Sequence, residues 1–153
     1  MDADKTEEGL GPLDSLLGYH LRRAGSVVGG AFSRAVSGTT LRQVPFAILS
    51  VIAANPGIKQ GTAGQILGIQ RANMVALINE LVEAGYIDRQ AAQDDRRAFA
   101  LACTTKGQVA LDHFTGEILR HEADLLADFS PADRKKLMQL LRRIEAREPS
   151  EAD

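Results

Sequence analysis

The sequence has little of what stabilises a secreted or membrane protein: it contains one cysteine, no tryptophan and no long apolar run. With Cys103 alone the chain cannot form an internal disulfide, which excludes a disulfide framework and suits a reducing cytosol. The longest apolar candidate, residues 44–54, contains Pro45 and falls short of the roughly 18–20 residues that a membrane helix needs. The first residues are acidic rather than basic and apolar, unlike a secretory signal. We therefore expect a cytoplasmic protein with no membrane partner.

The sequence also lacks the common catalytic and metal-binding motifs. It has no glycine-rich phosphate loop, no HExxH and no CxxC, and none of its serines belongs to a recognisable nucleophile motif. His113, Glu117 and His121 fall on one helical face at a spacing that can gather a metal ion, but a solvated polar face explains them more simply. We expect no enzymatic activity, no cofactor and no metal.

Charge is unevenly distributed along the chain. The net charge is −2, but residues 1–10 and residues 148–153 each contribute −3. Between them, residues 11–147 hold 17 basic and 13 acidic side chains, a net charge of +4. A mildly basic body is compatible with binding a polyanion such as DNA, although many enzymes would show the same balance. The polar ends, residues 1–11 and 148–153, are expected to be disordered tails.

Apolar residues that recur at intervals of three and four predict helices along most of the chain. Inside the first predicted helix, residues 13–36, Gly25, Gly29 and Gly30 indicate either close packing against another helix or room for a ligand. Turn and capping residues separate the later elements. These are helices at about 41–54, 62–67 and 71–84, strands at about 86–91 and 99–103 around a polar tip at 93–97, and helices at about 105–127 and 131–144.

The order of these elements is typical of a winged helix-turn-helix, in which the second helix of a pair enters the major groove and a hairpin lies beside it as a wing. The predicted fold is therefore mainly α with a small β wing, and the winged helix-turn-helix is flanked by N- and C-terminal helices. The terminal helices have broad apolar stripes that a single subunit cannot easily bury. Pairing of two subunits would cover these stripes and place two recognition helices about 34 Å apart.

Four stretches resemble the MarR family of bacterial transcriptional regulators. GQILGI at residues 64–69 resembles the family's short helix and turn, and LINELVEAGYIDR at residues 77–89 resembles its recognition helix running into the wing. DDRR at residues 94–97 and LACTTKG at residues 101–107 are similar to the wing signature and the start of the next helix. The resemblance covers about residues 13–147.

This resemblance implies an obligate homodimer that binds double-stranded DNA. Residues 12–36 and 108–147 would form the dimerisation helices, and residues 37–107 would form the DNA-binding domain. Because a two-fold axis relates the two recognition helices, the operator is expected to be an imperfect palindrome.

Three residues at the start of the recognition helix are the candidates for reading bases: Gln70, Arg71 and Asn73. Asn can bind adenine and Arg can bind guanine, each through two hydrogen bonds. The alternative is that Arg71 and Asn73 are merely solvated surface residues. Ala76 departs from the family pattern, in which a basic residue often faces DNA at this position.

In the wing, the resemblance implies three functional residues. Arg97 matches the arginine that reaches into the minor groove, Asp95 matches the acid that orients it, and Arg96 is placed to contact phosphate. A narrow minor groove attracts positive charge because its negative potential is enhanced. The alternative is an exposed hairpin with weak ion pairs.

The resemblance also implies an effector pocket between the dimerisation helices and the DNA-binding lobe, where relatives often hold small aromatic acids. Arginines beside aromatic rings suit an aromatic carboxylate or an aromatic coenzyme A thioester. The alternative is that the rings belong to the core and the arginines pair with acids or phosphate. The candidates are Tyr19, His20, Arg22, Arg23, Arg42 and Phe46.

Together these features predict a ligand-responsive homodimeric regulator, a repressor of a catabolic or efflux operon that a small aromatic acid or its coenzyme A thioester releases. One alternative is a ligand-sensing or protein-interaction module on the same fold that no longer binds DNA. A small helical enzyme is a third class, and it would need a proton-transfer or metal cluster that the sequence does not contain.

Overall fold

The computed structural model describes residues 9–37, 41–91 and 99–147 of the chain. These residues form six α-helices, one short 3-10 helix and a three-stranded antiparallel sheet, which confirms the predicted winged helix-turn-helix. In chain order the elements are the 3-10 helix Gly11–Ser15, α1 Leu17–Ala35, α2 Gln43–Ala54, β1 Ile58–Lys59, α3 Gln60–Leu67, α4 Arg71–Glu83, β2 Ile87–Ala91, β3 Phe99–Cys103, α5 Thr105–Leu125 and α6 Pro131–Glu145.

The prediction of one continuous helix over residues 13–36 is wrong at its N-terminal end. Leu16 has an extended backbone and separates the 3-10 helix from α1. The ring Nε2 of His20 donates a hydrogen bond to the carbonyl oxygen of Asp14 at 2.8 Å. In a continuous helix that carbonyl would accept the backbone N–H four residues later. The side chain of His20 therefore takes over a helical hydrogen bond and ties the two segments together.

The hydrophobic core lies beneath the helix-turn-helix, and α2 is its central element. Helix α2 carries Ile48, Leu49 and Ile52 into the core and packs against α3, α4, α5 and strand β3. Helix α4, the sheet and α5 cover these side chains from the other sides. The remaining buried apolar residues are Phe32, Val36, Leu41, Ala63, Met74, Ile78, Leu81, Ile87, Leu101 and Phe114.

The turn between α3 and α4 depends on Gly68. This residue ends α3 in the left-handed conformation, with φ at +64°, which a glycine adopts without steric penalty. The N–H of Ile69 then donates to the carbonyl oxygen of Gly64 at 2.9 Å. This closed turn lets α4 begin at Arg71 and sets its direction relative to α3.

The sheet has one strand more than the sequence predicted. Strand β1 pairs with β3 through Ile58 and Leu101, so the strand order is β1-β3-β2. Strands β2 and β3 form the predicted hairpin, in register from Ile87 opposite Cys103 to Ala91 opposite Phe99. The predicted polar tip at residues 93–97 lies outside the described residues.

The start of α5 is joined to the end of α4 by Thr104. Its hydroxyl group donates to the carbonyl oxygen of Gly85 at 2.7 Å and accepts the N–H of Gly107 at 3.0 Å, so it is the N-cap of α5. Position 107 has no room for a side chain, because an added Cβ would lie 2.1 Å from the carbonyl oxygen of Tyr86. These contacts explain the sequence TTKG at the end of the wing.

The terminal helices expose apolar side chains. Helix α6 begins with a capping box, in which the side chains of Ser130 and Asp133 accept hydrogen bonds from each other's backbone N–H, but none of the side chains of α6 is buried. No helix within the described ranges is long and apolar enough to cross a membrane. The exposed apolar side chains of α1 and α6 are Leu17, Val27, Val28, Leu137, Met138, Leu140 and Ile144.

Candidate DNA interface and effector pocket

The N-terminal turn of α4 presents the predicted base-reading residues to solvent. Gln70 is the N-cap residue, and Gln70, Arg71 and Asn73 are all exposed. Within the described part of the chain, none of the three side chains has a hydrogen-bond or ion-pair partner. Ala76 is exposed on the same helix. The side chains are therefore available to an incoming ligand, and only Met74 from this turn enters the core.

A groove of about 780 Å³ lies between α3, the first turn of α4 and strand β3. Lys59 and Arg71 contribute positive charge, and three glutamines contribute amide groups. No carboxylate occurs among the described residues that line it. Cations and neutral donors without acids suit a phosphate backbone. The groove is lined by Lys59, Gln60, Gly61, Thr62, Gly64, Gln65, Gly68, Ile69, Gln70, Arg71, Met74 and Phe99.

Phe99 is a candidate residue that the sequence reasoning missed. It lies in the predicted strand at residues 99–103, where it alternates with Leu101 and Cys103, and that pattern pointed to no role in DNA binding. The structure buries Leu101 completely but leaves Phe99 60% exposed on the wall of the groove. The two side chains share one face of β3, and Phe99 lies where the strand has passed the edge of the core. An exposed ring at this place can contact deoxyribose or a thymine methyl group.

The predicted wing residues Asp95, Arg96 and Arg97 lie outside the described residues. The structure does describe how the base of the wing is attached. Arg89 on β2 donates a hydrogen bond through Nη2 to the side-chain oxygen of Asn79 on α4. This contact between the wing and the recognition helix was not foreseen from the sequence.

The ammonium group of Lys106, near the base of the wing, makes its contacts within the protein. Its Nζ donates to the carbonyl oxygen of Ala84 at 2.6 Å and lies 5.1 Å from the centre of the Tyr86 ring. A cation at the C-terminal end of a helix is favoured by the helix dipole. The contact holds the end of α4 rather than leaving the ammonium group available for DNA.

Four of the six predicted effector residues cluster on the first half of α1. The guanidinium carbons of Arg22 and Arg23 lie 5.6 and 5.8 Å from the centre of the Tyr19 ring, and the His20 ring meets Tyr19 edge-on at 5.5 Å. Both arginines are exposed, and neither has a carboxylate partner within the described residues. The cluster is therefore an uncompensated cationic surface beside an aromatic ring.

The other two predicted effector residues lie near the last turn of α1. Phe46 packs edge-on against Phe32 of α1, with ring centres 5.6 Å apart, and so belongs to the α1–α2 contact. Arg42 lines a pocket of about 240 Å³ together with Phe32, Val36 and Leu41. The structure therefore divides the predicted effector residues into two groups. Ten residues separate Arg22 from Phe32 on α1, a distance of about 15 Å along the helix axis.

Arg42 also reaches the recognition helix. Its Nη2 lies 2.6 Å from Oε2 of Glu80 on α4 and forms an ion pair with it. This partner was not predicted, because 38 residues separate the two in sequence.

The helical face that carries His113 and His121 holds no metal cluster. Glu117, between them, pairs with Arg120, and no group of three possible metal ligands occurs anywhere in the described ranges.

Cys103 is half-buried. The pKa of its thiol is raised, mainly by burial and to a smaller extent by the negative charge of Asp112.

Comparisons with known proteins identify the family. A family profile described as the MarR family matches residues 37–98. A protein of Thauera aromatica, assigned as a transcriptional regulatory protein for the hcr operon, is 34% identical over 145 residues, which cover 94% of this chain and 87% of that protein. The chain belongs to the MarR family.

Solved structures of the MarR-family repressor CouR share this fold. CouR bound to a 23-mer DNA duplex superposes with a TM-score of 0.86 at 33% identity, covering 92% of this chain and 99% of CouR. CouR bound to p-coumaroyl-CoA superposes with a TM-score of 0.82 at 31% identity, covering 93% and 100%. As a MarR-family member, this chain is a DNA-binding transcriptional regulator and not an enzyme, and members of the family are typically homodimers.

Proposed function

We propose that this MarR-family regulator is a cytoplasmic homodimeric repressor of a catabolic or efflux operon, and that an aromatic acid or its coenzyme A thioester releases it from the operator. The observation that carries the proposal is the pocket between α1 and α2, where an apolar wall faces an arginine. The relative CouR, a repressor seen with both DNA and p-coumaroyl-CoA, supports the same ligand class.

The pocket has the size and chemistry for one aromatic ring. Its volume is about 240 Å³, and an apolar cavity of about 150 Å³ can already hold benzene. Phe32, Val36 and Leu41 supply apolar surface, and Ser33, Ser37 and Gln43 supply polar groups. The guanidinium group of Arg42 can bind a carboxylate or phosphate through two hydrogen bonds.

The second cationic group, Arg22 and Arg23, offers a place for the phosphates of a thioester in addition to the pocket that would hold a free acid. Arg22 and Arg23 lie about 15 Å from the pocket along α1, farther than a single-ring acid can span. A coenzyme A thioester carries its phosphates far from its aromatic acyl group, so it can occupy both places at once. The exposed arginines beside Tyr19 are suited to one end of such a molecule.

The terminal helices would form the dimer, with residues 12–36 and 108–147 supplying the contact and residues 37–107 binding DNA. Burial of the exposed apolar side chains of α1 and α6 drives this association. Within each DNA-binding domain, Gln70, Arg71 and Asn73 would read bases. In the wing, Arg96 would contact phosphate, and Arg97, oriented by Asp95, would reach into the minor groove.

Fluorescence anisotropy on DNA from upstream of the chain's own gene tests the proposal. We expect tight, salt-dependent binding that Arg97→Ala weakens. An allosteric coupling of 2–3 kcal/mol predicts that the effector weakens operator binding about 30- to 150-fold. The ligands are p-coumarate, p-hydroxybenzoate, p-coumaroyl-CoA and free coenzyme A. Failure to bind this DNA and a random duplex pool would contradict the repressor, whereas binding that no ligand weakens would contradict the effector class alone.

A further inference from the structure

The ion pair between Arg42 and Glu80 connects the effector pocket to the recognition helix. Two ion pairs occur within the described ranges, and the other one, between Glu117 and Arg120, lies inside α5. The Arg42–Glu80 pair therefore stands out as the ion pair that joins two separate elements. Arg42 is the N-cap residue of α2 and lines the pocket, while Glu80 lies in the second half of α4.

Two arginines contact the recognition helix at neighbouring residues in its second half. Glu80 bonds to Arg42 of α2, and the preceding residue, Asn79, accepts a hydrogen bond from Arg89 of β2. One arginine thus ties the helix to the pocket side and another ties it to the wing. Loss of either contact removes one polar attachment of α4, while the other contact and the buried side chains of α4 still hold the helix.

We propose that Arg42 and Glu80 are a positioning pair for DNA recognition, in which Arg42 holds α4 through Glu80 until the anionic group of an effector takes the place of Glu80. This inference rests on the proposed function, because it requires an effector in the pocket that Arg42 lines. The anionic group is the carboxylate of a free aromatic acid, because a coenzyme A thioester has no free carboxylate and its phosphates would lie about 15 Å away at Arg22 and Arg23.

Electrostatic repulsion explains why the Glu80 carboxylate and the anionic group of the effector do not bind Arg42 together. The guanidinium fork binds one carboxylate or phosphate through two parallel hydrogen bonds. A second carboxylate held at the same group would face a like charge only a few ångströms away, which disfavours keeping both in place. Effector binding at Arg42 therefore displaces the side chain of Glu80 and removes the ion pair that joins α4 to the start of α2.

The exposure of the pair makes the exchange feasible. The side chain of Arg42 is 69% exposed and that of Glu80 is 32% exposed, and such ion pairs are weak because water and salt screen them. A bidentate anion whose ring also fills the apolar pocket can compete with a contact of this strength. A fully buried pair would instead resist exchange, because separating it leaves an uncompensated charge.

Glu80→Gln tests the pair, with Glu83→Gln as the matched control on the same helix. Glu83 is exposed and has no ion-pair partner within the described residues. Without effector, Glu80→Gln is expected to weaken operator binding by about two- to fivefold, the range for an exposed pair, and Glu83→Gln is expected to leave it unchanged. Glu80→Gln should also bind the effector more tightly, because its competitor is gone, and should show a smaller effector-induced loss of operator binding.

The charge reversal, Arg42→Glu combined with Glu80→Arg, separates positioning from general stability. It should restore operator binding towards the wild-type value, because the pair is re-formed in the opposite sense, yet it should lose the effector response because a carboxylate at position 42 repels the anion. Titration with p-coumarate, p-coumaroyl-CoA and free coenzyme A shows whether the response at Arg42 requires a free carboxylate. Thermal unfolding of each full-length variant verifies that it is folded.

Three results would overturn the inference. One is Glu80→Gln behaving like Glu83→Gln in both operator and effector binding, and another is a full effector response in the charge-reversed variant. A Glu80→Gln variant that loses operator and effector binding together would also contradict it, since that pattern indicates general destabilisation. If wild type binds the operator but no ligand weakens it, the proposed effector class fails, while the comparison of Glu80→Gln with Glu83→Gln still tests the positioning of α4.

Discussion

The Cγ atom of Met74 packs so closely against Gly64 that a methyl group added to this glycine would lie 3.1 Å from it. The same methyl group would lie 3.1 Å from the carbonyl oxygen of Ile69. The two residues therefore set the closest approach of α3 and α4. The angle at which the recognition helix leaves the helix-turn-helix depends on this contact.

Gly64→Ala is expected to destabilise the protein by about 1–3 kcal/mol, because overpacking forces α3 and α4 apart. Gly61→Ala is the matched change on α3, since nothing lies within 4 Å of a Cβ at that position. It should stabilise the protein by about 0.5–1 kcal/mol through helix propensity. Urea unfolding at one protein concentration measures both. Equal effects of the two substitutions would contradict the assigned contact.

Thr104→Ala is expected to cost about 1–2 kcal/mol of stability, because it removes the N-cap of α5 and the hydrogen bond to Gly85. Thr105→Ala, one residue later, removes an exposed side chain at the first position of α5 and should change stability by less than about 0.5 kcal/mol. The measurement is chemical denaturation of both variants under the same conditions. A loss of stability in Thr105→Ala but not in Thr104→Ala would contradict the assignment of Thr104 as the N-cap.

Phe99→Ala should weaken operator binding by about fivefold or more, since about 1 kcal/mol of apolar contact is lost, without changing the dependence on salt. Arg71→Ala should weaken binding by about 1–3 kcal/mol and relax specificity at one base pair. Phe99→Leu, which keeps an apolar side chain, is the control and should retain most of the affinity. Anisotropy titrations at several salt concentrations separate the two effects, and unchanged binding of Phe99→Ala would remove this residue from the interface.

Substitution of both Arg22 and Arg23 by Ala should weaken binding of p-coumaroyl-CoA by about tenfold or more, the scale of one or two charge-assisted hydrogen bonds. Binding of free p-coumarate should change little, because the pocket beside Arg42 remains intact. Isothermal titration calorimetry with both ligands makes each the control for the other. Equal losses for the two ligands would contradict the division of the effector residues into two groups.

The Cys103 thiol is expected to react slowly with aromatic disulfides near neutral pH, because its raised pKa keeps it protonated. Asp112→Asn removes the smaller cause of the shift and should accelerate labelling, whereas Asp124→Asn, farther along α5, should not. Since the folded pKa is raised, the associated stability is fully present below the unfolded thiol value of about 8.5. It is lost as the pH rises through the folded value, which pH-dependent unfolding of wild type and Cys103→Ala can follow.

The order of the helices and the hairpin could be predicted from the sequence because each depends on local signals. The stop at residues 55–57, the glycine after α3 and the cap at Ser130 all act within a few residues of the boundary that they define. Strand β1 could not be predicted, since two residues carry no alternation. Its existence depends on pairing with Leu101, more than 40 residues away in the chain.

The candidate site could be predicted only in part. Gln70, Arg71 and Asn73 follow from the position of the recognition helix, and the structure leaves them exposed. The exposure of Phe99 depends on where the core ends beneath β3, and no periodicity encodes that edge. The partner of Arg42 depends on how α2 crosses α4. The roles of the wing arginines stay predictions.

The two arginine contacts at Asn79 and Glu80 hold the recognition helix far from its base-reading end. From Asn79 the helix extends nine residues back to Gln70, a distance of about 14 Å along its axis. A tilt of about 10° around the contacts at Asn79 and Glu80 would move the base-reading end by about 2.4 Å, which approaches the length of a hydrogen bond. If the proposed exchange at Arg42 tilts the helix, the displacement is therefore larger at the base-reading end than at the ion pair itself.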